Sequence, residues 1–110
     1  HRPVFDWQRA ERRHDHGTIQ GRLFSAVSEM LRLRAGFGFL RADAPIEVLD
    51  DGPHALIVDV DDGNLRIVGN FAGFATDVSW GGESWTDALT GTARGSGATL
   101  GPYELLWLVP

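Results

Sequence analysis

HALIVDVDDGNLRIVGN, residues 54–70, decides the fold class. Two runs of strand-forming residues, 54–60 and 64–70, flank Asp62-Gly63. Asp-Gly between two such runs is a strong short-range signal for a β-hairpin, because both turn residues adopt positive φ at little cost. Working outward, the same pattern recurs every few residues. Further strands are predicted at 46–49, 74–80, 85–90 and 103–109, with Asp51-Gly52 and Gly81-Gly82 as turn signals. Short strands at regular turn spacing predict an antiparallel β-sandwich over residues 38–110. The final run, LGPYELLWLVP at 100–110, is too apolar for a frayed tail. It reads as a closing strand with Pro102 at its entrance and Trp107 in the core.

Upstream the period changes. Leu23, Phe24, Val27, Met30 and Leu31 fall at helical spacing, and Arg22, Ser25, Glu29 and Arg32 take the other side. A helix is therefore predicted over about 19–35. Thr18 serves as N-cap, Arg32 and Arg34 suit the C-terminal dipole, and Gly36 is the stop. One amphipathic helix cannot bury its own stripe, so it needs a partner, and a second copy of the chain is one candidate. Residues 1–17 are charged and aperiodic and are expected to be irregular. The predicted organisation is thus an N-terminal segment, 1–37, and a β-sandwich, 38–110.

Composition narrows the function classes. The chain has 110 residues, ten Arg and no Lys, fifteen Asp and Glu, and a formal charge of −5. That balance gives no footprint for a nucleic-acid backbone. The absence of Lys reads as codon bias in a GC-rich genome. With no Cys there is no disulfide framework, thiolate catalyst or Cys-based zinc site. No apolar run is long enough to span a membrane, and no secretory h-region is visible, so a cytoplasmic location is expected.

The chemical motifs are sparse. In IVDVDDGNL, placing Gly63 at the sixth position of a calcium loop puts Val58 and Val60 at ligand positions, so that reading fails. Arg13-His14-Asp15-His16 has two His at i, i+2 and no third ligand nearby, which reads as solvated or cap-like. Asp77 and Asp87 have no sequence-visible partner. No catalytic residue, cofactor-binding residue or metal ligand is assigned, and no cofactor is expected. Trp80 and Trp85 bracket Gly81–Ser84 and could form a sugar-stacking platform on a hairpin, although paired Trp also fill cores. In GNFAG, 69–73, a bulge or corner with Phe71 turned inward is expected.

Several segments together resemble the C-terminal region of α-amylase superfamily enzymes. LGPYELLWL resembles the last strand of their domain C. Asp87-Ala88-Leu89-Thr90-Gly91 resembles the strand before it, and LRIVGNFAG the strand carrying an Asn-Phe pair. HRPVFDW followed by AERRHDHGTIQGRLFSAVSEMLRLR is similar to the stretch joining barrel to domain C in amylosucrases and sucrose hydrolases. RAGFGFLRADAP departs from that pattern. The resemblance implies a parent enzyme that cleaves sucrose through a covalent glucosyl intermediate and passes glucose to an α-glucan or to water. Its (β/α)8 barrel and catalytic residues would lie upstream of His1, so the barrel is the implied partner of the helix. His1, Arg2, Asp6 and Trp7 match a family motif near the barrel mouth, without an assigned role. The alternatives are a carbohydrate-binding module and the domain C of another transglucosidase.

Overall fold

A computed structural model describes residues 3–50 and 52–110. His1 and Arg2 of the N-terminal motif and Asp51 of the first turn signal lie outside the described residues. The chain divides into two units, His1–Gly36 and Phe37–Pro110.

The first unit holds α1 (Trp7–Ala10), a 3-10 turn (Glu11–His14) and α2 (Ile19–Gly36). The two short elements correct the expectation of irregular structure. Asp6 caps α1 by accepting from the Arg9 N–H at 2.9 Å, an i to i+3 bond that aperiodic apolarity does not reveal. Thr18 caps α2 as predicted, accepting from the Gly21 N–H at 3.1 Å. Its own hydroxyl faces the carbonyls of Arg12 and Asp15, at 2.9 and 2.7 Å. A Cβ on Gly21 would sit 1.8 Å from the Asp15 carbonyl oxygen, so only glycine lets the turn lie this close to the helix. The helix stripe is left open: Ile19, Leu23, Phe24, Val27 and Leu31 are all exposed.

The second unit is a sandwich of two antiparallel sheets. Its strands are β1 (Ile46–Asp50), β2 (Ala55–Val60), β3 (Leu65–Asn70), β4 (Thr76–Ser79), β5 (Trp85–Asp87), β6 (Thr92–Arg94), β7 (Gly97–Leu100) and β8 (Leu105–Val109). The larger sheet has the order β1-β2-β3-β8-β5-β6, and the smaller pairs β4 with β7. The 54–70 hairpin forms as read, with Val60 opposite Leu65. Asp62 and Gly63 at its turn have φ of 55° and 90°, the positive pair that matches the right-handed twist of the strands.

β6 and β7 are additions to the predicted set. They arise from TARGSGATL, whose small residues carry little alternation. β5 stops at Asp87, short of the predicted 90, because the Asp87 carboxylate accepts from the Leu89 N–H at 3.1 Å and the Thr90 hydroxyl at 3.0 Å. Gly81-Gly82 is no hairpin turn. β4 and β5 belong to different sheets, and the segment between them crosses from one to the other.

The core lies between the sheets. Ile57, Val68, Trp85, Leu106 and Leu108 from the larger sheet pack with Val78 and Leu100 from the smaller one, and Trp80 joins them from the crossing. Tyr103 precedes β8 and is 72% exposed, which corrects the predicted start at 103. Trp107 is also not in this core. β8 turns its even residues inward, so Trp107 shares the outer face with Val48, Val58 and Ile67, in register across four strands. There its ring meets Phe37, with centroids 6.3 Å apart, and Phe37 stacks on Phe39. Phe37 and Phe39 therefore cover part of the sheet's outer surface.

Leu108 and Trp107 should differ on truncation. Leu108→Ala leaves a cavity in a filled core and should cost about 2–5 kcal/mol. Trp107→Ala removes a partly buried ring from the outer face, where neighbours and solvent can close the gap, and should cost less despite the larger side chain. Urea unfolding of both variants checks the order, and a larger loss for Trp107→Ala would contradict the facing of β8.

Candidate functional site

The positions singled out from sequence fall at three places in the sandwich. Trp80 and Trp85 are 3% and 9% exposed, so they offer no face to a sugar. Trp80 Nε1 donates to the Gly95 carbonyl at 2.7 Å, and Trp85 Nε1 to the Gly81 carbonyl at 2.8 Å. The crossing that joins them needs its glycines. Gly82 has φ +78°, and a Cβ there would approach Trp85 Nε1 to 2.5 Å. The indoles are core residues with satisfied N–H groups, which corrects the hairpin-platform reading.

Beside them lies a polar layer that sequence reading missed. Arg66 and Asp59 stand opposite each other on β3 and β2, on the inner face. Their side chains pair in two hydrogen bonds, with Nη2–Oδ2 at 2.7 Å, and each is about one-seventh exposed (15% and 13%). Arg66 also donates to the Trp80 carbonyl and lies 4.8 Å from the centre of the Trp85 ring. Hydrogen bonding to Asp59 holds the guanidinium pKa above its ordinary value; desolvation by burial opposes this and the charge of Asp59 adds to it. The only sequence signal was an Asp and an Arg at hairpin-paired positions, which looks like an exposed cross-strand pair.

The second place is the corner after β3. Asn70 is 2% exposed. Its Nδ2 group lies within hydrogen-bond distance of the carbonyls of Phe74 (2.9 Å), Gly101 (2.9 Å) and Leu100 (3.3 Å), while Oδ1 accepts from the Ala72 N–H at 3.0 Å. One carboxamide thus holds both the 72–74 corner and the β7–β8 loop. Phe71 is 63% exposed, opposite to the inward placement expected. With Asn70 turned inside, the next side chain on an extended backbone faces out. The Phe71 ring lies back over Gly69, where a Cβ would come within 2.9 Å of it.

The third is Tyr103, with φ 57°, left-handed and costly for a residue with a Cβ. Its N–H donates to the Ala72 carbonyl at 3.2 Å, and its hydroxyl would be 3.2 Å from a Cβ on Gly73. Phe71 and Tyr103 flank a shallow recess of about 250 Å3, lined also by Gly69, Asn70, Glu104 and Leu105.

Asp77 and Asp87 do find partners: Asp77 accepts from the Thr99 hydroxyl, and Asp87, 1% exposed, also accepts from the Trp107 N–H at 3.2 Å. In the first unit His14 packs edge-on to Phe24, with Glu11 3.9 Å away, and Asp15 Oδ1 accepts from the Gly17 N–H. Among the described residues no group of three or more His, Asp or Glu is placed to hold a metal ion, and no helix is long and apolar enough to cross a membrane.

No family model matches the sequence, and no curated protein does. Solved structures do. Over 82% of the chain, the fold is similar to AmyP in complex with maltose and to an AmyP variant in complex with maltotriose, each with a TM-score of 0.70 and 20% identity. Over 81% it is similar to an α-amylase from Anoxybacillus, with a TM-score of 0.60 and 19% identity. The chain spans about a fifth of the length of each: 21%, 20% and 23%. The β-sandwich expected from sequence is therefore the observed fold, and it recurs as a part of larger α-amylase-type enzymes.

Two substitutions probe the polar groups. Asn70→Ala strands the buried Leu100 carbonyl and Ala72 N–H and frees two half-buried carbonyls, and should cost about 2–4 kcal/mol, read by chemical denaturation. Asp59→Ala leaves the Arg66 charge buried and unpaired, at a cost of about 3–5 kcal/mol. The double variant Asp59→Leu/Arg66→Met should recover much of that loss. If it is no more stable than Asp59→Ala, the unpaired charge is not the cause.

Proposed function

We propose that this chain is the non-catalytic, C-terminal β-sandwich of an α-amylase superfamily enzyme of amylosucrase type, acting on sucrose and α-glucans. A (β/α)8 barrel upstream supplies the catalytic residues. The observation that carries the reading is the likeness of the sandwich to a fifth of α-amylase-type chains, with TM-scores up to 0.70. A module of that size within an enzyme has a neighbouring domain to rest on, and the exposed stripe of α2 gives the barrel a surface to cover. The Asn-Phe, Asp-x-Leu-Thr-Gly and Pro-Tyr segments support the same reading. Asn70 and Asp87 are buried hydrogen-bonding centres, and Tyr103 holds a left-handed corner.

The preference for sucrose rests on the N-terminal segment, where Asp6, Thr18 and Gly21 fix the turns leading into α2. A second reading, hydrolysis of α-1,4-glucans, is favoured by the maltose and maltotriose complexes of AmyP. The two part on substrate. The reading frame extended upstream should encode a barrel, and that longer enzyme should release fructose from sucrose, while the 110-residue chain alone turns over nothing. Release of maltose from starch with no fructose from sucrose would favour the second reading. A reading frame without a barrel would overturn both.

A further inference from the structure

We propose that Phe71 and Tyr103 clamp one glucose unit of an α-glucan chain at the surface of the sandwich, with Glu104 accepting hydrogen bonds from its hydroxyls. Both rings are largely in solvent, at 63% and 72% exposure, although the core beside them accommodates two Trp. Both are nevertheless held in place. The Phe71 N–H donates to the His54 carbonyl at 2.7 Å, and the Tyr103 N–H to the Ala72 carbonyl. Asn70, between them in space, fixes the two loops with four side-chain contacts. Gly69 and Gly73 remove the Cβ atoms that would displace the rings. Tyr103 keeps a left-handed backbone that Gly or Asn would adopt more easily, so the ring is retained against a local cost.

A sugar ring suits the two aromatic faces. A pyranose presents apolar C–H faces to aromatic rings and hydroxyls at its edge to a carboxylate. Glu104 lines the same recess, and its carboxylate has no partner among the described residues. At about 250 Å3 the recess lies below the usual range of roughly 300–1,000 Å3 for pockets holding drug-sized ligands or cofactors, and suits a single ring of an extended chain. The choice of an α-linked glucan rests on the parent enzyme proposed above; the rings fit a pyranose of either linkage.

Calorimetric titration of the 110-residue chain with maltoheptaose, alongside backbone amide shifts, tests the clamp, with cellohexaose as the β-linked control. Saturable binding of maltoheptaose is expected, with shifts at Phe71, Tyr103 and Glu104. Phe71→Ala and Tyr103→Gly should each weaken it at least tenfold. Tyr103→Gly should leave the melting temperature unchanged or raised, since glycine relieves the positive φ; this separates lost binding from lost folding. No binding of either sugar, or binding untouched by both variants, would overturn the clamp. Binding of cellohexaose in preference, still lost in Tyr103→Gly, would keep the clamp and remove the α-glucan reading. In the longer enzyme without sugar, stronger protection of the Phe71 and Tyr103 amides than in the 110-residue chain would make the patch a domain contact and overturn the proposal.

Discussion

The sandwich depends on the double ladder of its last strand. β8 pairs with β3 on one edge and with β5 on the other, and among the described residues no other strand joins those two parts of the larger sheet. Without it, a three-stranded meander and a short two-strand hairpin would each face water with one side of the core. Leu106 and Leu108, at 1% and 0% exposure, are the side chains that this insertion brings inside. Val68 meets Leu106 across a gap of nearly forty residues in sequence, so the closing pairing is a long-range one. Such pairings must overcome loop-closure entropy before they contribute. That makes the domain cooperative, and it explains why so apolar a segment is held as a paired strand.

The polar groups inside the sandwich sit where the chain leaves one strand for another. Asn70 holds the end of β3 to the loop before β8, and Asp87 ends β5 and ties it to Trp107. Arg66 reaches the Trp80 carbonyl at the crossing between sheets. Apolar core positions tolerate exchange if volume is conserved, whereas a buried amide or carboxylate has few substitutes that satisfy the same partners. A fold shared at 20% identity with a TM-score of 0.70 fits such a division. The division also explains why the segments resembling the superfamily are centred on Asn70, Asp87 and Pro102-Tyr103 and not on the hydrophobic runs.

Much of this was legible in the sequence, and the remainder failed for identifiable reasons. The 54–70 hairpin and α2 carried their own periodicity, and Asp62-Gly63 and Thr18 their own local chemistry. β6 and β7 were invisible because three- and four-residue strands of Thr, Ala and Gly have no apolar alternation; their pairing is imposed by β5 and β4. The facing of Trp107 and of Phe71 depends on a register that shifts by one residue without any change in composition. The same ambiguity misplaced the aromatic site. Trp80 and Trp85 attracted the sugar reading by type, while burial decided otherwise. Phe71 and Tyr103 had one usable signal, small residues (Gly69, Gly73) close to large rings, and sequence alone cannot say that such a ring lies outside.

The two units differ in how far they account for themselves. The sandwich buries a core between its sheets, and part of its outer face is covered by its own Phe37 and Phe39. α2 has eighteen residues, and Gly21 is its one buried residue. A helix of that length without a packed face is marginal in water, because most helical stability in proteins comes from tertiary contact. Its caps fix where it begins, and they do not supply that contact. Ile19, Leu23, Phe24, Val27 and Leu31 form too regular a stripe to be incidental surface residues. The order of α2 therefore depends on contacts beyond those that its own caps and the preceding turn supply.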